Sequence, residues 1–177
     1  GSQAGAHAAI LVGALYGEGG SPRSPSRFAE VADWRIENLT VASDKSAREG
    51  GVVLGAAAIA VMSNAHGGTI RNIVVPDSST MAGAIMLDWG TVGEIVSGDI
   101  PRAAALYHAG RAYTTHPHDI VIERVLIGRL TRPAAYGGSF GVRLSGVDNV
   151  VVRDVTIGAV TNAAIDHTAG DLGYEFA

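Results

Sequence analysis

The chain predicts an all-β repeat architecture, a solenoid of stacked parallel strands, and three observations carry that expectation. First, residues 140–158 contain three runs of alternating apolar residues, Val142/Leu144, Val150/Val152 and Val155/Ile157, separated by a Gly-Val-Asp-Asn turn and then by Asp154. Each run reads as a strand with one face buried, because side chains on a strand alternate between its two faces. Second, the pattern recurs. An apolar-x-polar-apolar-x-apolar unit fits residues 36–41, 70–75, 122–127 and 152–157, with a degraded copy at 92–96. An interleaved series, Ala-Ile-x-Val or its variants, fits 58–61, 84–87, 105–108, 141–144 and 164–167. Third, the shortest copies have room for about three strands and their turns and none for a helix, which is the signature of a thin repeat unit that buries its face only by stacking on its neighbours.

Composition agrees with that expectation. The 177 residues suffice for a single domain with one continuous core, the repeat being best defined over 32–168. Apolar residues make up 47%, aromatic residues only 6%, and there are 24 glycines, a mix suited to thin layers joined by tight turns. The net charge is −4, and the basic residues, all but Lys45 being Arg, are scattered and not clustered, so the footprint of a nucleic-acid binder is missing. No cysteine is present, which excludes a disulfide framework and thiolate chemistry. The apolar run at 8–16 is too short to span a bilayer, and no basic residue precedes it. It is expected to supply a first strand at 9–12, leaving no membrane span.

Along the chain, residues 17–27 are a Gly/Ser/Pro-rich loop that lacks the Gly-Lys-Ser/Thr of a phosphate-binding loop. Asn38 falls where the repeat bends and is expected to adopt the left-handed region there. Asn72 lies one repeat on, so the two side chains should hydrogen-bond along the stack. At the outward position beside them, Glu37 should meet Arg71, and Glu123 should meet Arg153. Residues 42–57 are an insertion expected to form a short helix or a flap. Residues 108–119 are the most polar and His-rich stretch, and 129–139 form a second extended loop. The chain closes by starting a further coil at Ile165, so its ends are expected to take further coils of a longer solenoid or a second chain.

The aligned repeat resembles the right-handed parallel β-helix of the pectin-lyase-like superfamily over about residues 32–168. The resemblance implies five to six coils with long inter-strand loops and a secreted or cell-surface protein. It also implies a groove on the outward strand face near coils three to five that binds or processes an acidic polysaccharide, as a lyase or C5-epimerase. Enzymes of that fold usually carry an amphipathic helix capping the N-terminal end, and this sequence shows none.

The outward x position of the second series is occupied in order by Ala60, Met86, Tyr107, Arg143 and Asp166. Neighbouring strands lie roughly 5 Å apart, so Tyr107, Arg143 and Asp166 should converge. Lyase or epimerase chemistry could then use Arg143 to neutralise a uronate carboxylate, with Tyr107 or His108 as acid or base. The competing reading is an inert surface ladder. Glycoside hydrolysis needs carboxylates about 5 to 9.5 Å apart, and Asp88 and Asp166 are expected near 14 Å. Met86, Asp88, His116, His118, Arg132, Tyr136 and His167 complete the expected substrate contacts. The run at 116–119, His-Pro-His-Asp, has metal-ligand chemistry without a third ligand at defined spacing, and resembles the Asp-Pro-His motif of mannuronan epimerases with His116 in place of their Asp. It also reads as a plain turn leading into a strand at 120, as Asp148 and Asn149 lead into Val150. No metal or cofactor is expected. A structural or adhesive solenoid, such as a surface or phage-tail segment, is the alternative function.

Overall fold

The computed structural model describes residues 8–13, 31–42, 47–49, 52–54, 57–62, 65–88, 117–133 and 138–168. These form thirteen strands: β1 (Ile10–Val12), β2 (Val31–Ala32), β3 (Arg35–Thr40), β4 (Ala47–Glu49), β5 (Val52–Leu54), β6 (Ala57–Met62), β7 (Ala65–His66), β8 (Thr69–Val75), β9 (Gly83–Asp88), β10 (His118–Leu130), β11 (Phe140–Ser145), β12 (Asp148–Val160) and β13 (Ala163–Thr168). A first sheet has the order β1-β6-β9-β11-β13, every pairing being parallel. A second, curled sheet has the order β2-β7-β10-β8-β3, with β12 on β10, again all parallel. Strands β4 and β5 form an antiparallel ribbon.

The curl has a local cause. Strict alternation along β10 buries His118, Ile120 and Ile122, then breaks where Glu123 and Arg124 both point away from the core, and resumes one residue out of phase with Val125 and Ile127. Arg124 has a φ of 53°, and the equivalent residues Asn38 (60°), Asn72 (54°) and Asp154 (53°) share the left-handed conformation. One such residue per strand turns the chain while keeping the same face inward. A second column of such residues, Asp33, Gly67, Asp119 and Asn149, turns the start of each strand in the same way.

The core lies between the sheets. Ile59, Val61, Ile85, Leu87 and Val142 from the first meet Ile70, Ile73, Ile120, Ile122 and Ile127 from the second, each almost fully buried. Burying one such side chain contributes about 1.5 to 3 kcal/mol, and stacked β-branched residues fill the space without polar atoms to satisfy.

Several expectations are corrected here. The right-handed parallel β-helix of five to six coils is not the architecture found, which is two parallel sheets, one of them curled, and an antiparallel ribbon. In particular, β10 pairs directly with β8 and β9 pairs directly with β11. The copies expected at 92–96 and 105–108 therefore do not stand between those strands, and both fall outside the described residues. Spacing misled because copies were ordered by sequence, whereas an insertion of any length can separate strands that pair. In the insertion at 42–57, expected as a short helix or a flap, the described residues 47–49 and 52–54 form the antiparallel β4-β5 ribbon. Other expectations hold. The first strand is present as β1, and Asn72 Nδ2 donates to Asn38 Oδ1 at 2.8 Å. Arg71 pairs with Glu37 at 2.7 Å, and Arg153 with Glu123 at 2.5 Å. No described helix is long and apolar enough to cross a membrane.

Candidate functional site

Arg143 sits at the centre of β11, with Met86 of β9 on one side and Asp166 of β13 on the other. Its Nε donates to Asp166 Oδ2 at 2.8 Å, and its Cζ lies 4.4 Å above the centre of the Phe140 ring. The Arg143 side chain is 27% exposed and that of Asp166 19%. The guanidinium is thus fixed from two directions, by a charge-assisted hydrogen bond and by the face of an aromatic ring. The bond to Asp166 uses Nε, and the two amino groups carry four further N–H donors in a planar fork.

The ring beneath Arg143 is itself held by packing. Phe140 is buried in a small cluster with Ala57, Ala60, Met62 and Met86 on the face of the first sheet opposite the main core. Its register partner in β9 is Gly83, where a Cβ would overlap the Phe140 ring. The missing side chain of Gly83 is what makes room for the ring, and through the ring for the guanidinium.

A second cluster lies at the start of the second sheet. The rings of His66 and His118 stack with centroids 4.7 Å apart and 4° between planes. His118 Nδ1 is 2.8 Å from Asp119 Oδ2, and Asn149 Nδ2 donates to Asp119 Oδ1. The Asn149 bond and then the His118 contact hold the Asp119 carboxyl below the usual carboxylate range. Among the described residues, no group of three or more His, Asp or Glu side chains converges as a metal site. His118 opens β10, two residues earlier than expected, and Asp119 and Asn149 both have positive φ at adjacent positions of neighbouring strands.

The expected constellation is brought together only in part. Arg143 and Asp166 meet as expected. Tyr107, expected beside Arg143, is displaced from that place by Met86, and Tyr107 and His108 lie outside the described residues. Met86 is buried, which removes it as a surface contact. Asp88 ends β9 opposite Ser145, and His167 pairs with Leu144. Asp88 and Asp166 lie on the two neighbours of β11, so they are two strands apart and not three, and offset by two residues along the strands. At the usual strand spacing and rise this puts their backbones about 12 Å apart, still wide for a hydrolytic pair. Arg132 is half-buried beyond β10, where its carbonyl accepts from Thr161 Oγ1 at 2.6 Å. That contact belongs to a polar knot of Thr161 and Ser139, the residue just before Phe140. His116 and Tyr136 lie outside the described residues.

Two contributors escaped sequence reasoning. Phe140 is three residues before Arg143, and period-two alternation puts positions three apart on opposite faces. The first sheet breaks that alternation, since Ala57 and Ala60 also share the outer cluster. The small residues aligned with Phe140, Ala57 and Gly83, were the available signal. His66 was missed because its two-residue strand is too short to show a period. No family model, no curated protein and no solved structure matches the chain.

Proposed function

We propose that the protein binds an acidic polysaccharide without cleaving it, with the Arg143–Asp166 pair as the centre of the contact. The observation that carries this reading is the fixation of Arg143 by Asp166 and Phe140 with its side chain partly exposed. A planar guanidinium held in place before the ligand arrives loses little rotamer freedom on binding, and its parallel N–H donors match the two oxygens of a uronate carboxylate. Asp166, beside it, can accept from a sugar hydroxyl. Turnover is not part of the proposal. Lyase and epimerase chemistry needs a base at the C5 proton together with the cation, and the neighbour of Arg143 on the side where Tyr107 was expected is the thioether of Met86. The reading places the protein at a cell surface or outside the cell.

Titration calorimetry with a panel of uronate and neutral oligosaccharides tests this. The expected result is binding to one or more uronate oligomers that weakens at least about tenfold in Arg143→Ala, the loss associated with a charged hydrogen-bond partner, with no unsaturated product absorbing in the ultraviolet. Absence of binding to every uronate polymer, or equal binding by Arg143→Ala, overturns it.

A second reading, a structural or adhesive scaffold, is favoured by one observation. Outward charges on the second sheet are spent on each other in the row Glu37, Arg71, Glu123 and Arg153. A surface whose charges are paired internally suits packing against a partner better than grasping a charged ligand. The same titration separates the two readings, because the scaffold predicts no glycan affinity.

A further inference from the structure

The two sheets end unequally. The first runs through five strands to β13, whereas the second, counted along β3, β8, β10 and β12, runs through four. Among the described residues, β12 pairs only with β10. Its inward residues Val150, Val152, Val155, Ile157 and Val160 are partly exposed, although their register partners Ile120, Ile122, Val125, Ile127 and Leu130 are almost fully buried. In the first sheet Ile165 of β13 is 53% exposed, while its register partner Val142 is buried. These residues make an apolar edge one strand wide, of the kind that accepts an added strand.

The width of that edge excludes a second copy of the chain stacked in the same register. In the sheet orders β11 is three steps from β1, and β12 is three steps from β3. A copy seated with its β3 on β12 would therefore put its β1 where β13 stands. A single extended peptide meets no such clash. Side chains along the edge set its sequence. Outward charges in successive strands alternate in sign, with Arg71 2.7 Å from Glu37 and 3.9 Å from Glu123, and Arg153 2.5 Å from Glu123. Arg71 thus has an acid on either side and Glu123 an arginine on either side. Arg153 bonds Glu123 through Nε and Nη2, and its side chain is 61% exposed. A row that continues this order has an acid beside Arg153 and apolar residues beside Val152 and Val155. Between the acid and the second apolar residue it needs one that tolerates the left-handed conformation, which Asp154 adopts in β12.

We infer that the edge of β12 docks an extended peptide of sequence apolar, acid, Asn or Gly, apolar as a parallel added strand, with the acid on Arg153 and the apolar residues over Val152 and Val155. The backbone of β12 supplies affinity through ladder hydrogen bonds, and Arg153 with the inward valines supplies the choice of sequence. The inference is independent of any glycan affinity, which rests on Arg143 in the other sheet.

Residues 35–41 of this chain, Arg-Ile-Glu-Asn-Leu-Thr-Val, have the required sequence and already lie beside an arginine-bearing strand, β8. A labelled synthetic peptide of that sequence is the probe, titrated with the full chain and followed by fluorescence anisotropy. Saturable binding is expected. It should weaken roughly fivefold when the glutamate of the peptide is replaced by arginine, the scale of one surface ion pair. That reversed peptide should regain affinity for the variant Arg153→Glu, whose fold is checked by circular dichroism. In amide NMR spectra the shifts caused by the original peptide should fall on β12 and leave β8 in place. Absence of saturable binding, equal binding of the two peptides by the unmodified chain, no regain in Arg153→Glu, or shifts on β8 in place of β12 would each overturn the inference.

Discussion

Single residues at the bends carry much of this fold. Asn38 and Asn72 hold left-handed backbone conformations that cost most L-residues about 1 to 2 kcal/mol, and Asn is among the few side chains that tolerate them. Their side chains also bond to each other. Asn38→Ala is therefore expected to lower stability by about 1 to 2 kcal/mol, and Asn38→Gly by less, since glycine restores the backbone freedom and loses only the side-chain bond. Denaturant unfolding of the two variants checks the order. Asp119 occupies a bend in the other column, and its acceptance of bonds from Asn149 and His118 depresses its pKa in the folded state. A depressed carboxyl contributes stability above its unfolded value of about 4, and that contribution is lost as pH falls through the lower folded value. Asp119→Asn, which keeps the bend, should flatten the fall in melting temperature below about pH 4. An acid limb as steep as that of the unmodified chain would show that Asp119 has no part in it.

At the scale of strands, the phase of the alternation decides which side chains reach the surface. Residues 36–41 and 70–75 were legible as copies of one strand because their apolar positions match, and the pairing of Glu37 with Arg71 followed from that match. The neighbours of β11 were not legible. Parallel strands pair across connections of widely differing length, so nothing in the spacing shows that β9 and β11 are direct neighbours. That is why Tyr107 was placed beside Arg143 and Met86 was not. Phe140 escaped for a different reason, a three-residue step that breaks the two-residue period at the start of the first-sheet strands. Its dependence on Gly83 gives a test at this scale. Gly83→Val puts branched carbon where the Phe140 ring lies, an overpacking that costs about 1 to 3 kcal/mol. The displaced ring should also release Arg143, so the variant is expected to lose uronate affinity even at temperatures where it remains folded, measured by circular dichroism and titration on the same sample.

At the scale of the molecule, two parallel sheets enclose an apolar interior, and the outward charges Glu37, Arg71, Glu123 and Arg153 form a ladder between neighbouring strands. Each such exposed pair contributes little to stability, about 0 to 1 kcal/mol, but like charges at the same positions would repel, so the alternation favours this order of strands over others. The rigid sheets also fix Arg143. A cation set on an interior strand of a five-stranded sheet, braced by an ion pair and a ring, is held more firmly than one on a loop. The most direct measurement of the central claim is the side-chain Nε–H resonance of Arg143, followed by NMR as an acidic oligosaccharide is added. The account predicts that this resonance and those of the Phe140 ring shift saturably with ligand, while the Nε–H resonances of Arg71 and Arg153 stay in place. Shifts confined to Arg71 and Arg153, or no saturable shift at Arg143, would contradict it.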